Sequence, residues 1–137
     1  MKELKLVIDA NILVSAYSAT GRIDDQWRSG LGPHQLMISP EIFAEVERTL
    51  RQTEFHLDAD EIKQRLKDIL ERCVLVRPKA TFDGTIADEK DRHLGNLALE
   101  VGADKILTGE TALKKGASIA GTPMVSFAEF VSPKSGG

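Results

Sequence analysis

The sequence predicts an α/β fold: a three-layer α/β/α sandwich around a central, mostly parallel sheet of four or five strands, Rossmann-like in topology. Three observations carry this. Short apolar runs alternate with amphipathic helical stretches along the chain, the pattern of a parallel sheet covered on both faces. The 137 residues suit one domain that buries roughly two-thirds of its unfolded surface. Finally, the first run, Leu4-Lys5-Leu6-Val7-Ile8, ends in Asp9 and passes at once into the helical pattern from Asn11 to Ser18. In open α/β sheets that strand end is where ligands collect.

The remaining elements follow in order. Ala19-Thr20-Gly21-Arg22 is a polar loop, and Asp24–Ser29 reads as a short helical segment anchored by Trp27. His34–Ile38 is the second strand. Ser39-Pro40 is a strong helix start, because serine accepts from a free backbone N–H and proline suits the first helical position. That helix runs to about Gln52, with Ile42, Phe43, Val46 and Leu50 inward. A second helix, about Ala59–Arg72, turns Ile62, Leu66, Ile69 and Leu70 inward, and Val74–Val76 is strand three. Residues 77–87 form a loop with a turn at Asp83-Gly84, and Asp88 opens the next helix. Its stripe is Leu94, Leu97, Ala98 and Val101, with Gly102 as its stop. Lys105–Thr108 is strand four, Gly109-Glu110 turns into a short helix through Leu113, and Met124-Val125 is a fifth strand. Ser126 and Glu129 have capping-box spacing for a last helical turn. Residues 1–132 therefore read as one domain and 133–137 as a loose tail.

Composition narrows the function classes. Aromatic residues make up 5% of the chain, so base-stacking platforms are not indicated, and a net charge of −3 argues against a sequence-blind polycation surface. A local basic patch or a bound cation remains compatible with nucleic acid. Cys73 is the single cysteine, which excludes an internal disulfide and a cysteine-based metal site; it reads as a buried, inert thiol. His34, His56 and His93 lack ligand spacing and read as surface or loop residues. The longest uncharged run, Ala10–Gly21, is too short and polar to cross a bilayer, so a cytoplasmic protein with no membrane partner is the expectation.

Four carboxylates fall at or just past a β→α junction or one turn into the following helix: Asp9, Glu45, Asp91 and Glu110. Clustered alone they would repel and raise one another's pKa, and a divalent cation removes that conflict. Hard oxygen ligands suit Mg²⁺ and Mn²⁺. Each has a simpler reading. Asp9 alternatively ends a strand and bonds the next helix, and Asn11 alternatively caps it. Helical geometry alone does not choose among Glu41, Glu45 and Glu47. Asp91 and Glu110 are also expected from the helix dipole, and Asp88 from capping.

The joint pattern resembles the PIN-domain nucleases. Val7-Ile8-Asp9-Ala10-Asn11 through Ala16 looks like their opening motif, and Ile38-Ser39-Pro40-Glu41-Ile42-Phe43-Ala44-Glu45 like the second, whose acidic member falls on Glu45. Asp88-Glu89-Lys90-Asp91-Arg92-His93, with Ala98 and Gly102-Ala103-Asp104, resembles the third and carries the acid onto Asp91. Thr108-Gly109-Glu110-Thr111-Ala112-Leu113 resembles the fourth, and Val125–Phe130 the family's ending. The nearest branch is the bacterial toxins of toxin–antitoxin systems, relatives of VapC-type toxins. One departure stands out: Glu110 occupies a position where the family usually has Asp, which moves the carboxylate out by one methylene.

The resemblance implies a metal-dependent endoribonuclease using Mg²⁺ or Mn²⁺, with an RNA substrate, a cognate antitoxin and a homodimer. It implies Asp9 and Asp91 as metal anchors, Glu45 completing the site or orienting water, and Glu110 supporting a second ion. Ser39, Thr108, Asn11 and Asp88 are supporting residues, and Arg22, Arg92, Lys114 and Lys115 candidates for RNA grip. The alternative is a catalytically weakened PIN-like module that binds RNA or protein. A haloacid-dehalogenase-like phosphatase would need an acid two residues after Asp9, where Asn11 stands.

Overall fold

The structure, a computed structural model, describes residues 3–18, 25, 30–79, 89–109 and 118–131; of residues 53, 89–91 and 131 only the backbone is described. The strands are β1 (Lys5–Ile8), β2 (Gln35–Ile38), β3 (Cys73–Leu75), β4 (Lys105–Thr108), β5 (Ser118–Ile119) and β6 (Thr122–Ser126). The helices are α1 (Ala10–Tyr17), α2 (Pro40–Leu50), α3 (Ala59–Arg72), α4 (Glu89–Val101) and α5 (Phe127–Val131). The sheet order is β3-β2-β1-β4-β6-β5. All neighbours are parallel except β5 and β6. Helices flank this sheet as an α/β/α sandwich.

Among the described residues the sheet has six strands, not the four or five expected. The additional one comes from a hairpin whose two-residue turn, Ala120-Gly121, has both φ positive, at 52° and 79°. That is the backbone a tight hairpin turn requires, matched to strand twist. Alanine at its first position hides the turn from composition-based reading, since Asn or Asp is the usual signal there.

Elsewhere local chemistry explains the elements. The Ser39 hydroxyl accepts from the Ile42 N–H at 3.2 Å, and Pro40 sits at the first position of α2. Asp58 and Glu61 form a reciprocal capping box on α3: the Asp58 carboxylate accepts from Glu61 N at 2.8 Å, and the Glu61 carboxylate from Asp58 N at 3.0 Å. Gly102, at φ 65°, ends α4 in the left-handed conformation that glycine adopts without steric penalty. The Ser126 hydroxyl accepts from Glu129 N at 3.1 Å and starts α5, as its spacing predicted.

β1, β2 and β4 form the centre. Leu6, Val7, Ile8, Ile38, Ile106 and Leu107 are fully buried, and Ile42, Val46, Leu50, Ile69 and Leu97 close over them. Leu70, expected inward, is 46% exposed. It lies one residue past Ile69 on α3, so its side chain is turned about 100° from the one the core takes. Cys73 is buried as expected, and burial with the nearby Asp68 carboxylate pushes its thiol up to about 12. Among the described residues no helix is long and apolar enough to cross a membrane. The segments expected at Asp24–Ser29 (Asp25 aside), the Asp83-Gly84 turn, the helix through Leu113 and the tail at 133–137 lie outside the described residues.

Candidate active site at the carboxyl ends of the strands

The chain leaves β1 toward β2 on one side, and β4 comes in on the other, so the strand order switches between β1 and β4. A switch point opens a crevice beyond the carboxyl ends of the strands. Asp9 stands at that position. Its backbone N–H donates to the Leu107 carbonyl at 2.9 Å and carries the β1–β4 ladder one residue past the strand.

Asp9 is 2% exposed. Its carboxylate is held at both oxygens: Oδ1 accepts from the Ala10 backbone N–H at 2.7 Å, and Oδ2 from the Thr108 hydroxyl at 2.9 Å. Asp9 therefore caps α1 and accepts a side-chain donor from β4 at once. The simple capping reading is satisfied, and the second oxygen is held from another strand. Asn11, by contrast, is the second residue of α1 and exposed, so it does not cap the helix. Sequence reading missed this because helical φ/ψ begins one residue earlier, at Ala10.

Carrying the parallel register past the strands sets Ser39 beside Asp9 on one side and Thr108 on the other, and Ser126 pairs with Thr108 in turn. All four are buried. Their polar groups form a row along one edge of an otherwise apolar sheet. Ser126 had been read only as a cap. Its place after a strand, as with Thr108, was the signal for membership of the row.

α1 and α2 pack against each other, and α2 carries the second candidate acid. Glu45 is half-buried on α2, next to the buried Val46. Of its rivals, Glu47 is committed to Arg51 at 2.7 Å one turn along the helix, and Glu41 is exposed in the first turn. α4 carries Asp91 in its first turn and packs on β1, β2 and β4, with Leu94, Leu97 and Ala98 buried. Arg92 is exposed. The side chain of Asp91, and Asp88, Glu110, Arg22, Lys114 and Lys115 altogether, lie outside the described residues. Among the described residues no three acidic, histidine or cysteine side chains form a metal-sized group. The donor chemistry of Asp9 and Glu45, hard carboxylate oxygen, fits a small divalent ion.

The histidines are less superficial than expected. His34 is half-buried: its Nδ1 accepts from the Leu4 N–H at 3.0 Å, and its ring meets Phe130 edge-on at 5.3 Å. His93 is half-buried in α4 with Nδ1 enclosed. Only His56 is exposed. Alternation of apolar residues does not register such amphipathic rings.

The PIN-domain family profile matches residues 5–112. The chain belongs to the PIN-domain family. Among solved structures, it is similar to a chain in the crystal structure of VapBC2 from Rickettsia felis bound to a DNA fragment from their promoter, with a TM-score of 0.64. The two are 14% identical over 90% of this chain and 98% of that one, so the likeness is one of fold. No curated protein matches the sequence. Within this PIN domain, the motif residues Asp9, Ser39 and Thr108 lie side by side at the switch point. The motif positions of Glu45 and Asp91 lie on α2, which packs on α1, and on α4, which packs on β1, β2 and β4.

Proposed function

We propose that this PIN domain is a Mg²⁺- or Mn²⁺-dependent endoribonuclease that hydrolyses RNA phosphodiester bonds as the toxin of a toxin–antitoxin pair. The observation that carries the reading is the buried Asp9 carboxylate, fixed by Ala10 and Thr108 at the sheet's switch point. Burying a carboxylate is costly unless its charge is answered, and two hydrogen bonds fix its direction as a ligand requires. PIN domains are generally nucleases that use divalent metal ions, which agrees with such a site.

In this reading Asp9 and Asp91 hold the ion, with Glu45 and Glu110 completing the acidic pocket. When bound, the ion lowers the pKa of a water and counters the charge gathering on the phosphate. The chain's own part is orientation. Thr108 keeps the Asp9 carboxylate from rotating, and Ser39 fixes the start of α2 and so the approach of Glu45. Asp88, just ahead of α4 in the sequence, is a supporting residue of the same proposal. Arg22, Arg92, Lys114 and Lys115 supply positive charge for the RNA backbone. A cognate antitoxin, a homodimer and a cytoplasmic setting belong to the same proposal.

The Glu110 departure favours a second reading, a weakened PIN domain that binds RNA or protein without cutting. One assay separates the two: cleavage of mixed RNA with Mn²⁺ or with EDTA, by wild type, Asp9→Asn and Asp91→Asn. Metal-dependent cutting that falls at least ~100-fold in both variants is the result expected of a nuclease. Mn²⁺-raised thermal stability without cutting favours the binding module. Cutting that ignores both substitutions removes the site assignment.

A further inference from the structure

Gly109, the first residue past β4, lies against a side chain from another element. A Cβ built on it would fall 2.7 Å from Nδ2, 3.3 Å from Cγ and 3.7 Å from Oδ1 of Asn11. The whole Asn11 carboxamide thus lies over the Gly109 Cα, and the first distance is closer than real Cβ atoms come to another heavy atom. Asn11 is otherwise exposed, two residues after Asp9 in the first turn of α1. An exposed asparagine side chain ordinarily samples several rotamers. Here the missing side chain of Gly109 leaves a seat that selects one.

The chemistry of that position is restricted. A lysine or arginine two residues after Asp9 would pair with its carboxylate and compete with a cation. An aspartate would repel a phosphate. A neutral amide conflicts with neither, and its N–H groups donate to anionic oxygen.

We propose that Asn11 is a substrate-binding residue whose carboxamide donates a hydrogen bond to a phosphate oxygen of single-stranded RNA. Gly109 is its positioning residue, kept free of a side chain so that the carboxamide is seated. This rests on the nuclease reading for the substrate, but its test does not rest on cutting. Because the obstructing atom is the far end of a side chain, Gly109→Ala displaces Asn11 rather than the backbone.

The affinity of the intact chain for a fluorescent single-stranded oligoribonucleotide is measured by anisotropy in EDTA. Asn11→Ala and Gly109→Ala each raise Kd about 12-fold or more, the worth of one hydrogen bond to a charged oxygen, with thermal midpoints near wild type. The double variant is no weaker than either single one, because Gly109 acts only through Asn11. Asn11→Asp keeps the shape but not the donor and binds more weakly than Asn11→Ala. A Kd within twofold of wild type for either single variant overturns the proposal. So do additive losses in the double variant, tolerance of Asn11→Asp, or a wild type that binds no RNA. A wild type that binds but does not cut with Mn²⁺ contradicts the nuclease reading and leaves this assignment standing.

Discussion

Asp9 shows how much one residue does when its two carboxylate oxygens face different elements. Removing the donor from β4 isolates that contribution. Thr108→Val keeps the volume, and the loss of a buried hydrogen bond to a carboxylate lowers stability by about 1–3 kcal/mol. Loss of orientation lowers metal affinity or cleavage about 10–100-fold. Chemical denaturation and Mn²⁺ titration of the same variant read both, and unchanged metal affinity separates Thr108 from the site. Tyr17, the only tyrosine, offers an optical probe of the same helix. Burial, then the Asp68 carboxylate that accepts its hydroxyl at 2.5 Å, holds its pKa well above the ordinary value near 10. With the folded pKa raised, this contribution to stability is complete below pH 10 and is lost as pH rises beyond it. Phenolate absorbance at 295 nm is therefore expected only as the chain unfolds, and appearance of the signal at pH 10 in folded protein contradicts the packing of α1 on α3. Asp9 was legible in sequence because a strand end is marked by where the apolar run stops. Thr108 as its partner was legible only as a class of donor, since 99 residues separate the two.

At the scale of elements, the chain writes its helices plainly and its hairpin obscurely. Ser39-Pro40 and the apolar stripe of α2 specify that helix before any tertiary contact, and α3 has the bounds its periodicity predicted, Ala59–Arg72. The inward stripe was overextended at Leu70, because periodicity gives a face width but not which edge residue the core accepts. β5 and its turn were missed because Ala120-Gly121 carries the turn in backbone angles rather than in familiar residues. Gly121→Ala is predicted to lower stability by about 1 kcal/mol, the penalty for a Cβ at φ 79°. A Cβ at Gly121 meets nothing within 4 Å, so the loss reports conformation alone. A midpoint unchanged in urea denaturation contradicts the positive-φ turn.

The whole molecule explains why residues far apart in sequence share one sheet edge. A parallel sheet ordered β3-β2-β1-β4-β6-β5 puts every β→α junction of its parallel strands on one edge, and β1, first in the chain, lies at its centre. Any polar residue at a strand end is thereby gathered into one row, as Ser39, Asp9, Thr108 and Ser126 are. The class of fold, and the edge on which the strand-end polar residues gather, were readable from alternation alone. Convergence of specific side chains was not, because it depends on helix packing that local pattern does not encode; the Glu47–Arg51 pair, for example, is seen only in the structure. The central claim is that this edge is a divalent-cation pocket headed by Asp9. Calorimetric titration of Mn²⁺ into wild type and Asp9→Asn tests it directly, because asparagine keeps the cap and the shape while removing the charge. Saturable binding by wild type that weakens at least about 100-fold in a folded Asp9→Asn variant is the predicted result. Equal affinity in the two proteins contradicts it.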